Sequence, residues 1–212
     1  MRIERVLKKD EKNVTLILDN NEKLYLSYEV YLKSGLRKNE EISDSRFSAL
    51  IEENQSFHIK QKAFRLLGRR QHSAFELKLK LKQKGYNEQL ISRVINQLRN
   101  SNYLNDYEFA KTFAEENIKN KLWGQRKVEA ELIKKGVDRE IISQIVNEKF
   151  SDSDQIDNAL ELARKKYKSL LDRNTNTEKI KSKLITFLLS RGYNYDTVKR
   201  VVDTIIEKNN SV

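Results

Sequence analysis

Leu77-Lys-Leu-Lys-Leu81-Lys-Gln-Lys84-Gly85-Tyr-Asn87-Glu-Gln-Leu-Ile91-Ser-Arg-Val94-Ile95 carries, on both sides of one glycine, the pattern that decides the fold of this chain. Leu77 and Leu81 stand before Gly85, and Ile91, Val94 and Ile95 after it, at the 3.6-residue spacing of an amphipathic helix on each flank. A cation followed by glycine is a helix C-terminus. Gly enters the left-handed cap conformation without a Cβ clash, and Lys84 offsets the negative end of the helix dipole. Asn87 then offers a side-chain oxygen to the free N–H groups of the next helix. The stretch reads as helix, glycine turn, helix.

The unit recurs twice. Around Gly136 stand Val128, Leu132 and Lys135 before, and Asp138, Ile142, Ile145 and Val146 after. Around Gly192 stand Leu184, Leu188 and Arg191, then Asn194, Val198, Val201 and Val202. The glycines are 51 (136 − 85) and 56 (192 − 136) residues apart. Such self-similarity predicts a helical array in which an upstream helix completes each unit. The alternation of Glu76–Lys82 also fits a strand, but its equivalents VEAELIKK (128–135) and IKSKLITFLLS (180–190) are helical by pattern, so a helix is predicted here. It opens at Ser73 with Glu76, a capping box. On it Lys78 and Lys82 share one face, and Lys80 and Lys84 another.

Zero Pro and only six Gly in 212 residues suit long uninterrupted helices. The absence of Cys excludes disulfides and thiolate chemistry, and His58 and His72 alone cannot form a structural zinc set, so no metal or cofactor is expected. MRIERVLKKD (1–10) lacks the apolar core of a signal peptide, and no run approaches membrane-spanning length, which predicts a soluble cytoplasmic protein. Walker, GxSxG and HExxH motifs are missing, which argues against an enzyme.

The expected organisation is all-α: three tandem three-helix repeats in an elongated array (56–102, 103–150 and 151–212), preceded by a small β-containing extension (1–55). In the extension, Arg2–Lys8, Val14–Leu18 and Lys23–Tyr28 read as strands of a hairpin or meander, with Asp19–Glu22 as a turn. Ser27–Ser34 and Ser43–Glu53 read as helices, the second running on towards repeat one; the extension suits a cap on the array. Repeat two opens on an Asn105/Glu108 cap with Phe109, Ala110, Phe113 and Ala114 facing inward. In repeat three the linker Asp172–Glu178 absorbs most of the longer spacing, and Lys208–Val212 is expected to fray.

The net charge of +11 is uneven. Residues 56–100 hold eleven Lys/Arg against two Asp/Glu, +9, whereas residues 1–55 carry −1, 101–150 balance and 151–212 carry +3. A local excess of this size points to a polyanionic or acidic partner. Arg69, Arg70 and His72 are candidates to reach a phosphate or an acidic rim; Arg70 could equally pair with a carboxylate between helices, and His72 suits the turn better than a catalytic base. Lys78, Lys80, Lys82 and Lys84 outnumber the nearby acids Glu76 and Glu88, which favours a binding face over a merely solvated one. Lys119, Lys121, Arg126 and Lys127 flank Trp123, which could stack on a base, fill a partner's pocket or anchor packing between repeats. Lys134 and Lys135 extend this second basic set, and the remaining aromatics, Phe64, Phe75, Tyr86, Phe109 and Phe113, read as core together with Leu66 and Leu67.

Two stretches resemble a known family. Leu67-Gly-Arg-Arg-Gln-His-Ser-Ala-Phe-Glu-Leu77, running on to Lys84-Gly85-Tyr86, resembles the first-repeat signature of the RecX regulators. Asn102-Tyr-Leu-Asn-Asp-Tyr-Glu-Phe-Ala110 is similar to that family's second-repeat opening, with Asn102 where glycine is common. Trp123-Gly124-Gln-Arg126 and Glu131-Leu132-Ile-Lys-Lys135-Gly136-Val137 are similar to its continuation. The resemblance spans about residues 57–212. It implies a monomeric three-repeat regulator of RecA recombinase that lodges along the RecA nucleoprotein filament. There it would block filament extension and lower ATPase, strand-exchange and co-protease outputs. It also implies DNA, single- or double-stranded, as a direct ligand of some members. The alternative reading of the residues is a sequence-tolerant DNA-binding helical protein that acts by competition for DNA.

Overall fold

A computed structural model describes residues 1–171 and 176–210. Most of the linker expected from Asp172 to Glu178, at 172–175, and the last two residues of the expected frayed end, 211–212, lie outside the described residues. The contacts divide the chain into two compact units: Met1–His72 with Glu76–Leu104, and Ser73–Phe75 with the chain from Asn105 on.

Unit 1 begins with three short strands, β1 (Ile3–Lys8), β2 (Asn13–Leu18) and β3 (Lys23–Ser27), paired antiparallel in sequence order as a meander. The turns are built locally. The Asp10 carboxylate accepts the Lys12 and Asn13 N–H groups at 2.7 and 2.8 Å, and Asn21 takes a left-handed φ of 62° between β2 and β3. Ile3, Val14, Leu16, Leu18, Leu24 and Leu26 form a core closed by Val30, Leu36, Ile42 and Leu50 from the following segments. Helix α1 (Tyr28–Ser34) is capped by Ser27 and ends at Gly35. Helix α2 (Asp44–Leu67), capped by Ser43, runs unbroken for 24 residues, so the boundary expected at residues 55–56 falls inside one helix.

Helices α3 (Ala74–Lys82) and α4 (Glu88–Asn100) follow, and α4 packs on α2. Their apolar stripes are buried as the spacing predicts: Leu77, Leu81, Ile91 and Val94 are fully covered. The Asn87 carboxamide accepts the Gln89 and Leu90 N–H groups at 2.9 and 3.2 Å, the cap read from the sequence. Asn102 takes φ 57°, the left-handed conformation that explains why glycine suits this position and why Asn is tolerated here.

Unit 2 repeats the scheme twice. Helices α5 (Asp106–Lys121), α6 (Gln125–Lys134) and α7 (Arg139–Lys149) enclose Phe109, Ala110, Ala114, Val128, Leu132 and Ile145; α5 packs on α7. Helices α8 (Asp152–Leu171), α9 (Thr177–Ser190) and α10 (Tyr195–Asn210) enclose Ala159, Ala163, Leu184, Leu188, Val198 and Val201, with α8 packed on α10. Asn105 caps α5, Asp138 caps α7, Asn176 caps α9, and Asn194 accepts the Thr197 N–H at 2.7 Å. All three turn glycines have positive φ: 80° at Gly85, 68° at Gly136 and 92° at Gly192. The fold is therefore mostly helical, with three three-helix domains and a small N-terminal sheet.

Six residues expected in the core are not fully buried. Phe75 is 50 % exposed, because it lies over the Gly136 turn with its outer face open. Phe64, Leu66, Leu67, Tyr86 and Phe113 are half-buried; Phe64 meets Tyr103 edge-on at 4.9 Å.

Candidate interaction surface

The basic set of repeat one is built on α3 and the turn after it. Lys78 and Lys82 do share a face, and both reach the Glu88 carboxylate, at 3.1 and 2.9 Å. The two charge-assisted bonds hold the Glu88 carboxyl below its ordinary range. Among the described residues no carboxylate pairs with Lys80 or Lys84, so this second face carries the uncompensated charge. Arg69 is exposed. Arg70 is engaged: its guanidinium donates to Glu76 at 3.1 Å and to the Gln71 carbonyl at 2.7 Å, the carboxylate pairing that was one of its two readings.

His72 does not belong to the surface. It is only 4 % exposed, with Nδ1 3.5 Å from Glu76, too far for a good hydrogen bond. His72 is expected from the sequence on the binding surface, but the turn before α3 folds its ring inward, which nothing in the local sequence signals. Burial, aided by the neighbouring Arg70 charge and opposed by Glu76, holds the imidazole below its ordinary value of 6.5. The unfolded chain therefore binds a proton that the folded chain refuses. Stability from this group is complete above about pH 6.5 and is lost as pH falls below it, by at most about 1.4 kcal/mol per pH unit. Urea midpoints measured from pH 7.5 to 5.5 should fall in the wild type and fall less in His72→Gln. An unchanged slope in the variant would assign the titration elsewhere.

The second set lies in unit 2, at the α5–α6 connection. Leu122 takes a left-handed φ of 48°, which points its carbonyl at the buried Tyr193 hydroxyl, 2.8 Å away. Gly124 donates to the Arg191 carbonyl at 2.8 Å and Arg126 N–H to the Gly192 carbonyl at 3.1 Å. The connection is thus fastened to the α9–α10 turn, and Trp123 is half-buried against Phe113 at 6.1 Å. Lys121 and Lys127 lie over the indole at 4.6 and 5.6 Å. These contacts favour the packing role among the readings of Trp123.

Lys127 and Lys134 also share Glu131, at 3.3 and 2.9 Å, and half-buried Lys135 lies over the Phe109 and Phe113 rings at 5.8 and 5.1 Å. That leaves Lys119, Lys121 and Arg126 as the exposed cations of this set whose side chains have no carboxylate partner among the described residues, and of these Lys121 is held over the indole. The sequence gives no sign of the Gly124–Gly192 approach or of the Tyr193 hydroxyl bond, since each joins segments more than sixty residues apart.

Among the described residues, no group of three or more His, Cys, Asp or Glu side chains is placed to hold a metal ion, and no helix is long and apolar enough to cross a membrane. Three family models match the chain: RecX first three-helix domain over residues 60–98, second over 105–145 and third over 152–202. Among curated relatives, regulatory protein RecX of Clostridium perfringens (strain SM101 / Type A) is 30% identical over 200 residues, covering 93% of this chain and 92% of that protein. Regulatory protein RecX of Clostridium tetani (strain Massachusetts / E88) is 30% identical over 202 residues, covering 95% and 92%. In fold, the chain is similar to a crystal structure of regulatory protein RecX, with TM-score 0.77, 19% identity, and 95% and 98% of the two chains covered. RecX from Lactobacillus salivarius gives a TM-score of 0.62 at 22% identity, covering 76% of this chain and 99% of that one.

Proposed function

The chain belongs to the RecX family of regulatory proteins, and on that premise we propose that it binds the RecA nucleoprotein filament and restrains it. The reading is that it inhibits filament extension and lowers ATPase and co-protease output. The observation that carries it beyond the family is the distribution of charge. Lys80 and Lys84 on repeat one, and Lys119 and Arg126 on repeat two, present cations that no carboxylate of the described residues offsets. Binding through several weak contacts on one chain is multivalent, so each repeat need contribute only modestly.

The test is RecA's DNA-dependent ATPase titrated with this protein while DNA is in large excess. Inhibition at substoichiometric ratios to RecA is the expected result. Inhibition that begins only when the DNA is saturated would instead favour the second reading, a helical protein that coats DNA through the +9 of residues 56–100.

A further inference from the structure

The three turn glycines are alike in sequence and unlike in surroundings. At Gly136 a Cβ would run into Phe75, and the Ser73 hydroxyl donates to the Lys135 carbonyl at 2.6 Å. At Gly192 a Cβ would run into the Lys127 backbone, and Gly124 N–H donates to the Arg191 carbonyl at 2.8 Å. One device thus occurs twice within unit 2. The carbonyl of the cation before the glycine accepts a bond from the residue just ahead of a middle helix, Ser73 ahead of α3 or Gly124 ahead of α6. The glycine itself seats on that helix's first turn. The donors hold matching registers, 12 residues before their own repeat's glycine (85 − 73 and 136 − 124).

Gly85 is the third such turn, at φ 80°, and it is open. Among the described residues nothing lies within 4 Å of where its Cβ would be, and no backbone N–H donates to the Lys84 carbonyl. The chain has used both of its suitable helix starts. The remaining middle helix, α9, begins 15 residues before its glycine (192 − 177), whereas α3 and α6 begin 11 before theirs (85 − 74 and 136 − 125). That extra turn puts Ile180 at the donor register, where it is 2 % exposed and its N–H is already bonded to the Asn176 carbonyl. A second copy of this chain therefore cannot continue the array through α9.

We propose that the Gly85 turn is a docking face for the first turn of an α-helix on a protein partner. A free N–H or hydroxyl at that helix start donates to the Lys84 carbonyl. Acidic side chains, which belong at helix N-termini, face the unpaired Lys80 and Lys84. The partner is taken to be the RecA filament, so the inference rests on the function proposed above.

The test uses Gly85→Asn and Gly85→Asp in the full chain. Both residues tolerate left-handed backbone and enter open space, so melting temperature should move by only a few degrees (about 1 kcal/mol or less). Affinity for RecA filaments assembled with ATP on single-stranded DNA, read by anisotropy of the labelled chain, should fall by roughly tenfold or more for Asn, and further for Asp. Variants that bind as tightly as wild type would overturn the docking face and leave the RecA reading standing. A wild type that does not bind the filament would overturn both.

Discussion

Gly192→Ala is expected to destabilise the protein by about 3–5 kcal/mol, read as a lowered urea midpoint. Two effects add. At φ 92° any L side chain is strained, by about 1–2 kcal/mol. The new methyl also meets the N and Cα of Lys127, backbone rather than a flexible side-chain tip. That backbone cannot yield cheaply, because Lys127 N–H is bonded to the Gly124 carbonyl while Gly124 and Arg126 are bonded to Arg191 and Gly192. Moving it apart breaks those bonds and draws Leu122 away from the Tyr193 hydroxyl. Gly85→Ala has a similar φ and no neighbour, so it should lose only about 1 kcal/mol. Equal midpoints for the two variants would show that the α5–α6 connection and the α9–α10 turn are not tightly joined.

The second large effect concerns binding. Lys80→Glu combined with Lys84→Glu should weaken the functional interaction about 10- to 100-fold, because half-buried Lys80 and exposed Lys84 have no carboxylate partner among the described residues. Lys78→Gln with Lys82→Gln should do less, since Glu88 already holds both. The ligand decides which readout moves. If the lysines meet DNA phosphates, DNA affinity falls and its log–log salt slope shrinks by about two. If they meet an acidic protein surface, RecA ATPase inhibition weakens while DNA affinity holds nearly constant. Unchanged values in both assays would remove this face of α3 from the interaction surface.

The glycine units were legible because their causes are local. Gly85, Gly136 and Gly192 cap helices through their own backbone freedom, and Asn87, Asp138 and Asn194 bond N–H groups two or three residues on. The buried stripes of Leu77, Leu132 and Val198 follow from helical period. The site was legible only in part. The excess of lysine on α3 is a matter of composition, so counting acids against bases located it. Which lysines Glu88 neutralises depends on how the α3–α4 turn brings that carboxylate back over the helix. His72 and Phe75, neighbours in one motif, exchanged their expected places: the ring read as surface is buried and the ring read as core is half exposed.

By itself, then, the sequence determined three helix–turn–helix units, their caps, their inward faces and the concentration of positive charge on the first. The first three are set by dihedral preference and by interactions within about four residues, the last by composition alone. Only the tertiary structure decided that Gly136 and Gly192 are covered while Gly85 is open. It also decided that Trp123 sits in a fastened connection rather than a free loop. Those outcomes depend on which distant segments meet. Ser73 and Lys135, like Gly124 and Arg191, lie more than sixty residues apart, a separation no local propensity encodes.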